Sequence, residues 1–183
     1  STYTMTIDVT AVNDAPTAAD NTVTTNEDTD HTFSESEFGF SDVDGDSLDH
    51  VSIETLPSNG TLLLDGVAVT LGQDIPAADI SNLVFRPAAD ANGASYDTFT
   101  FSVNDGTTDS ASTYTMTIDV TAVNDAPTAN DDTINVVSGT PATGNVVTSN
   151  DTDPDGDTLS VSAIAGGSPG SPITGTYLSL IHI

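Results

Sequence analysis

Basic residues are almost absent from this sequence. Its 183 residues include no lysine and one arginine, Arg86, against 28 acidic residues, which gives a formal net charge of −27. Because lysine and arginine are what bind phosphate backbones and anionic lipid head groups, this deficit excludes a nucleic-acid partner and an anionic membrane surface. No apolar run approaches the roughly 20 residues that a membrane-spanning helix needs, so direct membrane insertion is not expected either.

Cysteine is absent and aromatic residues are scarce, at 5% of the chain. The lack of cysteine excludes disulfides, zinc–thiolate sites and thiol catalysis. Few aromatics and many acids are typical of disordered chains, but 36% of the residues are hydrophobic and they alternate with serine and 30 threonines. Because threonine and valine favour strands, the sequence predicts β-structure.

The acidic residues are strongly biased towards the shorter side chain, with 24 aspartates and 4 glutamates. Either acid would serve a general need for solubility or salt tolerance. The bias towards aspartate indicates tight loops and the oxygen geometry of a metal site.

The chain contains an internal repeat. Ser1–Ala18 is identical to Ser112–Ala129, an offset of 111 residues, and residues 42–48 match residues 153–159 at the same offset. Two matches in one register predict tandem domains of ordinary size. Pro and Asn/Asp after each strand-like run predict the linkers between them.

The repeat predicts three pieces. Residues 1–11 are interpreted as the last strand of a truncated preceding repeat, residues 12–122 as one complete repeat, and residues 123–183 as the N-terminal half of a following repeat. Residues 177–183 break the rhythm of the repeat, either as an artefact of the gene sequence or as an ordinary divergent strand. They receive no functional weight.

Period-two alternation of apolar and polar residues predicts an all-β sandwich for the complete repeat. Asn104-Asp105-Gly106 and Asp65-Gly66 predict hairpin turns, and residues 75–82 predict one helical turn. The predicted strands are 21–25, 30–34, 48–56, 61–65, 67–71, 82–86, 99–103 and 114–120.

One acidic motif predicts a metal site. Asp42, Asp44 and Asp46 are spaced two residues apart with Gly45 between the last two, and a bent loop can bring such side chains to one point. Oxygen ligands favour a hard cation such as Ca²⁺. The EF-hand is excluded because its twelfth position, a glutamate, is Ile53 here. The alternative is a solvated Asp-rich turn. The motif recurs at Asp153, Asp155 and Asp157.

Several motifs together resemble a known family. VNDAPT (12–17), FGFSDVDGDSL (38–48), NLVFRPAADANG (82–93) and FTFSVNDG (99–106) are similar to the cadherin-like tandem repeats of giant bacterial surface adhesins, of the RTX type and related calcium-dependent biofilm proteins. The resemblance implies a Greek-key β-sandwich of cadherin or immunoglobulin type in a tandem array, with calcium at the domain junctions.

The resemblance also implies ligands for Ca²⁺ at two junctions. At the first, these are Asn13, Asp14, Asp42, Asp44 and Asp46, with Asp105 nearby. At the second, they are Glu27, Asn124, Asp125, Asp153, Asp155 and Asp157, with Asp28 and Asp90 as further candidates. Ala11 and Ala15 stand where the vertebrate cadherin linker has an extra acid and an extra asparagine, so the number of ions per junction stays open.

The implied function is a structural extender of a bacterial adhesin, exported by a type I system to the cell surface. Its partners would be adjacent repeats through calcium, and surface glycans or other cells through other domains, homophilic adhesion included. The runner-up is a carbohydrate-binding or cell-adhesion module, for which Tyr96, Phe38 and Phe40 are the aromatics nearest the acidic loops. An enzyme is not expected, since His31 and His50 are isolated. A halophilic cytosolic protein would show more glutamate and no phased repeat.

Overall fold

The computed structural model describes residues 1–131, 150–164 and 180–182. The chain forms two compact units, Ser1–Ala122 and Val123–Ile183. The division into repeats stays a prediction, because much of the third predicted piece, including residues 177–179 and 183, lies outside the described residues. Across the described ranges, no helix is long and apolar enough to cross a membrane.

The first unit is built from short strands in two sheets. In chain order the strands are β1 (Asn21–Asn26), β2 (His31–Thr32), β3 (His50–Ile53), β4 (Thr61–Leu64), β5 (Val67–Ala68), β6 (Asp74–Pro76), β7 (Leu83–Arg86), β8 (Gly93–Asn104) and β9 (Tyr114–Thr121). One sheet has the order β1-β9-β8-β3-β6 and the other β2-β7-β4-β5. Strands β1 and β9 run parallel, and the other pairs are antiparallel.

The core lies between the two sheets. Alternate residues of β8 and β9 face inwards and are fully or almost fully buried, and rings from the loops complete the packing: Phe33 meets Phe99 edge-on at 5.6 Å, and Phe38 meets Phe101 edge-on at 5.0 Å. Each buried side chain of this size contributes roughly 1.5–3 kcal/mol. The predicted all-β, immunoglobulin-like sandwich is confirmed.

The predicted turns differ in outcome. Asp65 and Gly66 have φ of +51° and +78° and join Leu64 to its partner Val67, a two-residue hairpin of the kind that Asp-Gly favours. The Asn104-Asp105-Gly106 turn does not lead directly into the next strand, because β9 begins only at Tyr114.

Two elements of the first unit were not predicted. Strand β6 is three residues long, and a 3₁₀ turn covers Glu35–Phe38. The predicted helical turn at 75–82 is a 3₁₀ helix at Ala77–Asn82.

Residues 1–11 form no strand in this structure, and their assignment as the last strand of a truncated preceding repeat stays a prediction. The same eleven residues at 112–122 contain β9, where Met116 and Ile118 are 0% exposed, whereas Met5 and Ile7 are 84% and 73% exposed. The difference follows from partners: β9 lies between β1 and β8, which supply the backbone hydrogen bonds and the apolar contacts. Local propensity is the same in both copies, so tertiary context decides.

In the second unit, β10 (Val161–Ile164) pairs antiparallel with β11 (Leu180–His182). An isolated bridge joins Thr128 to Thr152, as Thr17 is joined to Ser41 in the first unit. Equivalent positions of the two copies of the repeat therefore form the same bridge.

The duplicated sequence provides a matched test of the core. We expect Ile118→Ala to lower the free energy of unfolding by about 2–5 kcal/mol, because it leaves a cavity in the core. The control Ile7→Ala changes the same residue in the same local sequence and should stay within roughly 0.5 kcal/mol. Urea unfolding followed by circular dichroism measures both, and equal effects would contradict the assignment of β9 to the core.

Candidate metal centre

One side chain organises the DxDGD loop, residues 42–46. The Oδ1 atom of Asp42 accepts hydrogen bonds from the backbone N–H of Asp44 at 2.8 Å and of Asp46 at 3.1 Å. Gly45 has a φ of +85°, which permits the sharp bend. The result is that the three carboxylates each offer one oxygen, and these oxygens lie within 4.8 Å of one another.

The second oxygen of Asp42 is a candidate ligand for a cation. Asp42 Oδ2 is buried and has no hydrogen-bond partner among the described residues, although buried polar atoms are nearly always paired. Three carboxylates this close repel one another unless a positive charge lies between them. An all-oxygen set with flexible geometry fits Ca²⁺ better than a metal that prefers nitrogen or sulfur.

The linker is attached to this loop by two residues. The backbone N–H of Asp14 donates to Asp44 Oδ2 at 2.7 Å, and Asn13 Nδ2 donates to Asp105 Oδ2 at 2.9 Å. Asp105 is therefore joined to the loop through the linker. Hydrogen bonds from the Asn13 side chain and from the backbone N–H groups of Thr108 and Thr107 hold the pKa of Asp105 below its ordinary value.

The second unit repeats the bonds within the loop and the bond from the linker backbone to the loop. Asp153 Oδ1 accepts from the backbone N–H of Asp155 at 3.0 Å and of Asp157 at 3.2 Å. Asp155 Oδ2 accepts from the backbone N–H of Asp125 at 2.7 Å, and Asn124 Nδ2 donates to the carbonyl of Asp125 as Asn13 does to that of Asp14. Since these bonds recur at the offset of 111 residues with different neighbouring sequence, the motif itself directs the loop.

The other candidate ligands of the first unit lie at its opposite end. Strand β1 ends beside Thr121, whereas the DxDGD loop and Asp105 lie near the start of β9. At this opposite end Glu27 is only 3% exposed and accepts from Asn92 Nδ2 at 2.8 Å. Asp28 Oδ1 accepts from the backbone N–H of Asp90 at 3.3 Å. The structure thus brings Glu27, Asp28 and Asp90 onto neighbouring loops.

Sequence reasoning missed the partners that hold this end. Asn92 binds Glu27, and Arg86 forms two hydrogen bonds to Asp30. Asp30 is the first residue of the predicted strand 30–34, and Arg86 is the last residue of the predicted strand 82–86. An antiparallel pairing of these two strands would place the two residues side by side, and it was the available signal for the Arg86–Asp30 pair. The Asn92–Glu27 contact joins residues 65 positions apart and had no local signal.

The aromatic residues near the acidic loops belong to the core. Phe38 is fully buried, and Phe40 and Tyr96 pack against the buried cluster. The Tyr96 hydroxyl donates to the carbonyl of Asn59 at 2.9 Å. His50 Nδ1 lies 2.8 Å from Asp49 Oδ2.

The sequence profile of the bacterial Ig domain family matches the chain twice, over residues 13–121 and 124–179. The chain belongs to the bacterial Ig domain family. No curated protein and no solved structure gives a significant match. Domains of this family usually occur in surface proteins, are typically structural rather than enzymatic, and suggest an extender or an adhesion module.

The lowered pKa of Asp105 predicts a pH dependence. A carboxyl group with a lower pKa in the folded state stabilises the fold above its unfolded pKa of about 3.9, and this contribution disappears as the pH falls through the folded value. In chelator, the stability difference between the unmodified chain and Asp105→Asn should be largest at neutral pH and shrink as the pH falls below about 4. Urea unfolding across this range measures it. If the stability difference between the two proteins does not change with pH, the lowered pKa of Asp105 is contradicted.

Proposed function

We propose that this chain is a calcium-binding structural extender of a bacterial cell-surface adhesin. Calcium at the repeat junctions would make the array rigid, and the rigid array would project a distal adhesive domain. The observation that carries this proposal is the DxDGD loop, which gathers three carboxylate oxygens within 4.8 Å and buries Asp42 Oδ2 without a hydrogen-bond partner among the described residues.

Calcium supplies positive charge that the chain itself lacks. With 28 acidic residues and one arginine, loops rich in carboxylates have few internal cations to neutralise them, and their repulsion should favour open loops and mobile linkers. A divalent ion bound by such a loop would reverse this effect and couple metal binding to folding. The residues proposed to hold it are Asn13, Asp14, Asp42, Asp44 and Asp46, and their counterparts Asn124, Asp125, Asp153, Asp155 and Asp157, together with Glu27, Asp28, Asp90 and Asp105.

The setting of the adhesin is part of the same proposal. An RTX-type, biofilm-associated adhesin exported by a type I system is supported by the resemblance of the repeat motifs. In that setting the chain's partners are adjacent repeats, through calcium. Contacts with glycans or other cells, including homophilic adhesion, belong to other domains of the protein.

Calcium removal is the first test. A site that binds only the folded chain adds about 2.7 kcal/mol when free Ca²⁺ is 100 times the dissociation constant, so EDTA should lower the melting temperature by roughly 5–10 °C. The double variant Asp44→Asn and Asp46→Asn should lose the part of this response that the first loop supplies, because it removes two of the three carboxylates of that loop. Differential scanning calorimetry with and without EDTA measures both.

The matched control removes two acids elsewhere. Asp8→Asn with Asp65→Asn makes the same change in net charge at two exposed positions outside the candidate site, and it should keep the full calcium response. Melting curves of the unmodified chain that are unchanged by EDTA would reject calcium binding. A response of undiminished size in Asp44→Asn with Asp46→Asn would reject the assignment of Ca²⁺ ligands to the first loop.

Rigidity is tested separately. We expect small-angle X-ray scattering to give a larger radius of gyration in Ca²⁺ than in EDTA, since bound ions would stiffen the linkers of the array. The combined variant Asp44→Asn, Asp46→Asn, Asp155→Asn and Asp157→Asn should give the EDTA value in both conditions. Equal dimensions of the unmodified chain with and without Ca²⁺ would contradict a role in stiffening.

A further inference from the structure

The chain contains the sequence Asn-Gly twice, at Asn59-Gly60 and Asn92-Gly93, and both asparagines are exposed. An asparagine before glycine can lose ammonia without a catalyst, because glycine has no side chain to shield its backbone nitrogen. That nitrogen attacks the asparagine Cγ, ammonia leaves, and a five-membered succinimide forms. Water then opens the ring to aspartate or isoaspartate, so the reaction needs no reagent besides water.

At the first of these sequences, hydrogen bonds hold both reacting groups. The attacking group would be the backbone nitrogen of Gly60, whose N–H donates to Asp97 Oδ2 at 2.8 Å. The leaving group would be the side-chain amide of Asn59, which donates from Nδ2 to the carbonyl of Tyr96 at 2.8 Å. Asp97 is only 5% exposed, so water does not readily replace Gly60 as its partner. Succinimide formation requires both bonds to break.

Packing also fixes the backbone of this segment. The Asp97 carboxylate accepts from the backbone N–H of Ser58 at 2.9 Å and of Asn59 at 2.7 Å, in addition to Gly60. A Cβ added at Gly60 would overlap the ring of Phe85. Residues 58–60 are therefore held on one buried carboxylate and against the core, and the Gly60 nitrogen cannot swing towards the Asn59 side chain.

The second Asn-Gly sequence lies in a more open place. A Cβ added at Gly93 would meet no atom within 4 Å. Gly93 is the first residue of β8, and the register with β9 shifts between Gly93 and Asp97, so its peptide lies at an irregular end of the ladder, where strands open most easily. The Asn92 amide donates to a side chain, Glu27 Oε2, at 2.8 Å, and a side chain can move away without the backbone.

We propose that Asn92 is a site of spontaneous deamidation and that the fold protects Asn59 through Asp97. This modification goes beyond the proposed function and does not depend on calcium. Its product would place a new carboxylate against Glu27, which is 3% exposed. Two carboxylates would then replace a hydrogen bond between an amide and a carboxylate, which destabilises this end of the domain.

The test is peptide mapping of the full chain after incubation in EDTA at mildly alkaline pH. Pepsin digestion in acid stops the reaction, and mass spectrometry detects the replacement of –NH₂ by –OH. Isomerisation at Asp-Gly sequences leaves the mass unchanged and does not interfere. In the folded chain, Asn92 should convert roughly tenfold faster than Asn59 or more, since the bond from Gly60 to a charged group must break first. In urea, the two should convert at similar rates.

Each outcome decides one part of the proposal. If Asn59 converts as fast as Asn92 in the folded chain, the selection by the fold is rejected. If neither converts in the folded chain while both convert in urea, Asn92 is not a modification site. Asp97→Asn should speed conversion at Asn59 and leave Asn92 unchanged. A folded Asp97→Asn variant in which Asn59 converts no faster would reject protection by Asp97.

The effect on stability is measured with a mimic of the product. Asn92→Asp should lower the melting temperature by roughly 5–10 °C, because it replaces the partner of a buried carboxylate with a like charge. The control Asn82→Asp adds the same charge at an exposed position and should change the melting temperature little. Equal shifts in the two variants would reject the expected conflict with Glu27.

Discussion

The shortage of cationic side chains is the constraint on which the rest of this structure depends. Carboxylates that cannot pair with lysine or arginine are satisfied here by backbone N–H groups. Asp97, 5% exposed, accepts from the backbone of Ser58, Asn59 and Gly60 at 2.7–2.9 Å. Asp42 does the same within its own loop. A short side chain reaches the nearby backbone without losing much rotamer freedom, which explains why aspartate so far outnumbers glutamate.

Most of the fold could be predicted because its strands alternate clearly and its turns are marked. The limits of that approach are visible in the duplicated sequence: the residues that contain β9 form no strand in their first copy. Alternation identifies a segment that can form a strand, and only partners on both sides make it one. The short strand β6 was missed for a related reason, since its three residues are too few to show a period.

Contacts of the candidate site between residues close in sequence could be predicted, whereas contacts between distant residues could not. The bonds within the DxDGD loop span two to four residues, and they recur in the second unit with nearly the same lengths. Spacing in the sequence is therefore enough to indicate them. The Asn13–Asp105 bond spans 92 residues and depends on how the strands are arranged. Family resemblance suggested that Asp105 lies at this end, and it did so without indicating the bond.

The two ends of the first unit are organised in different ways. At one end the loop orders itself, because Asp42 bonds to the backbone that follows it. At the other end the acids lie on two loops that are distant in sequence, and left-handed residues make each loop costly to hold. Local bonds cannot bring such loops together, so this end needs a link between strands. That the one arginine of the chain stands at this end, rather than beside the self-ordering loop, follows from this difference.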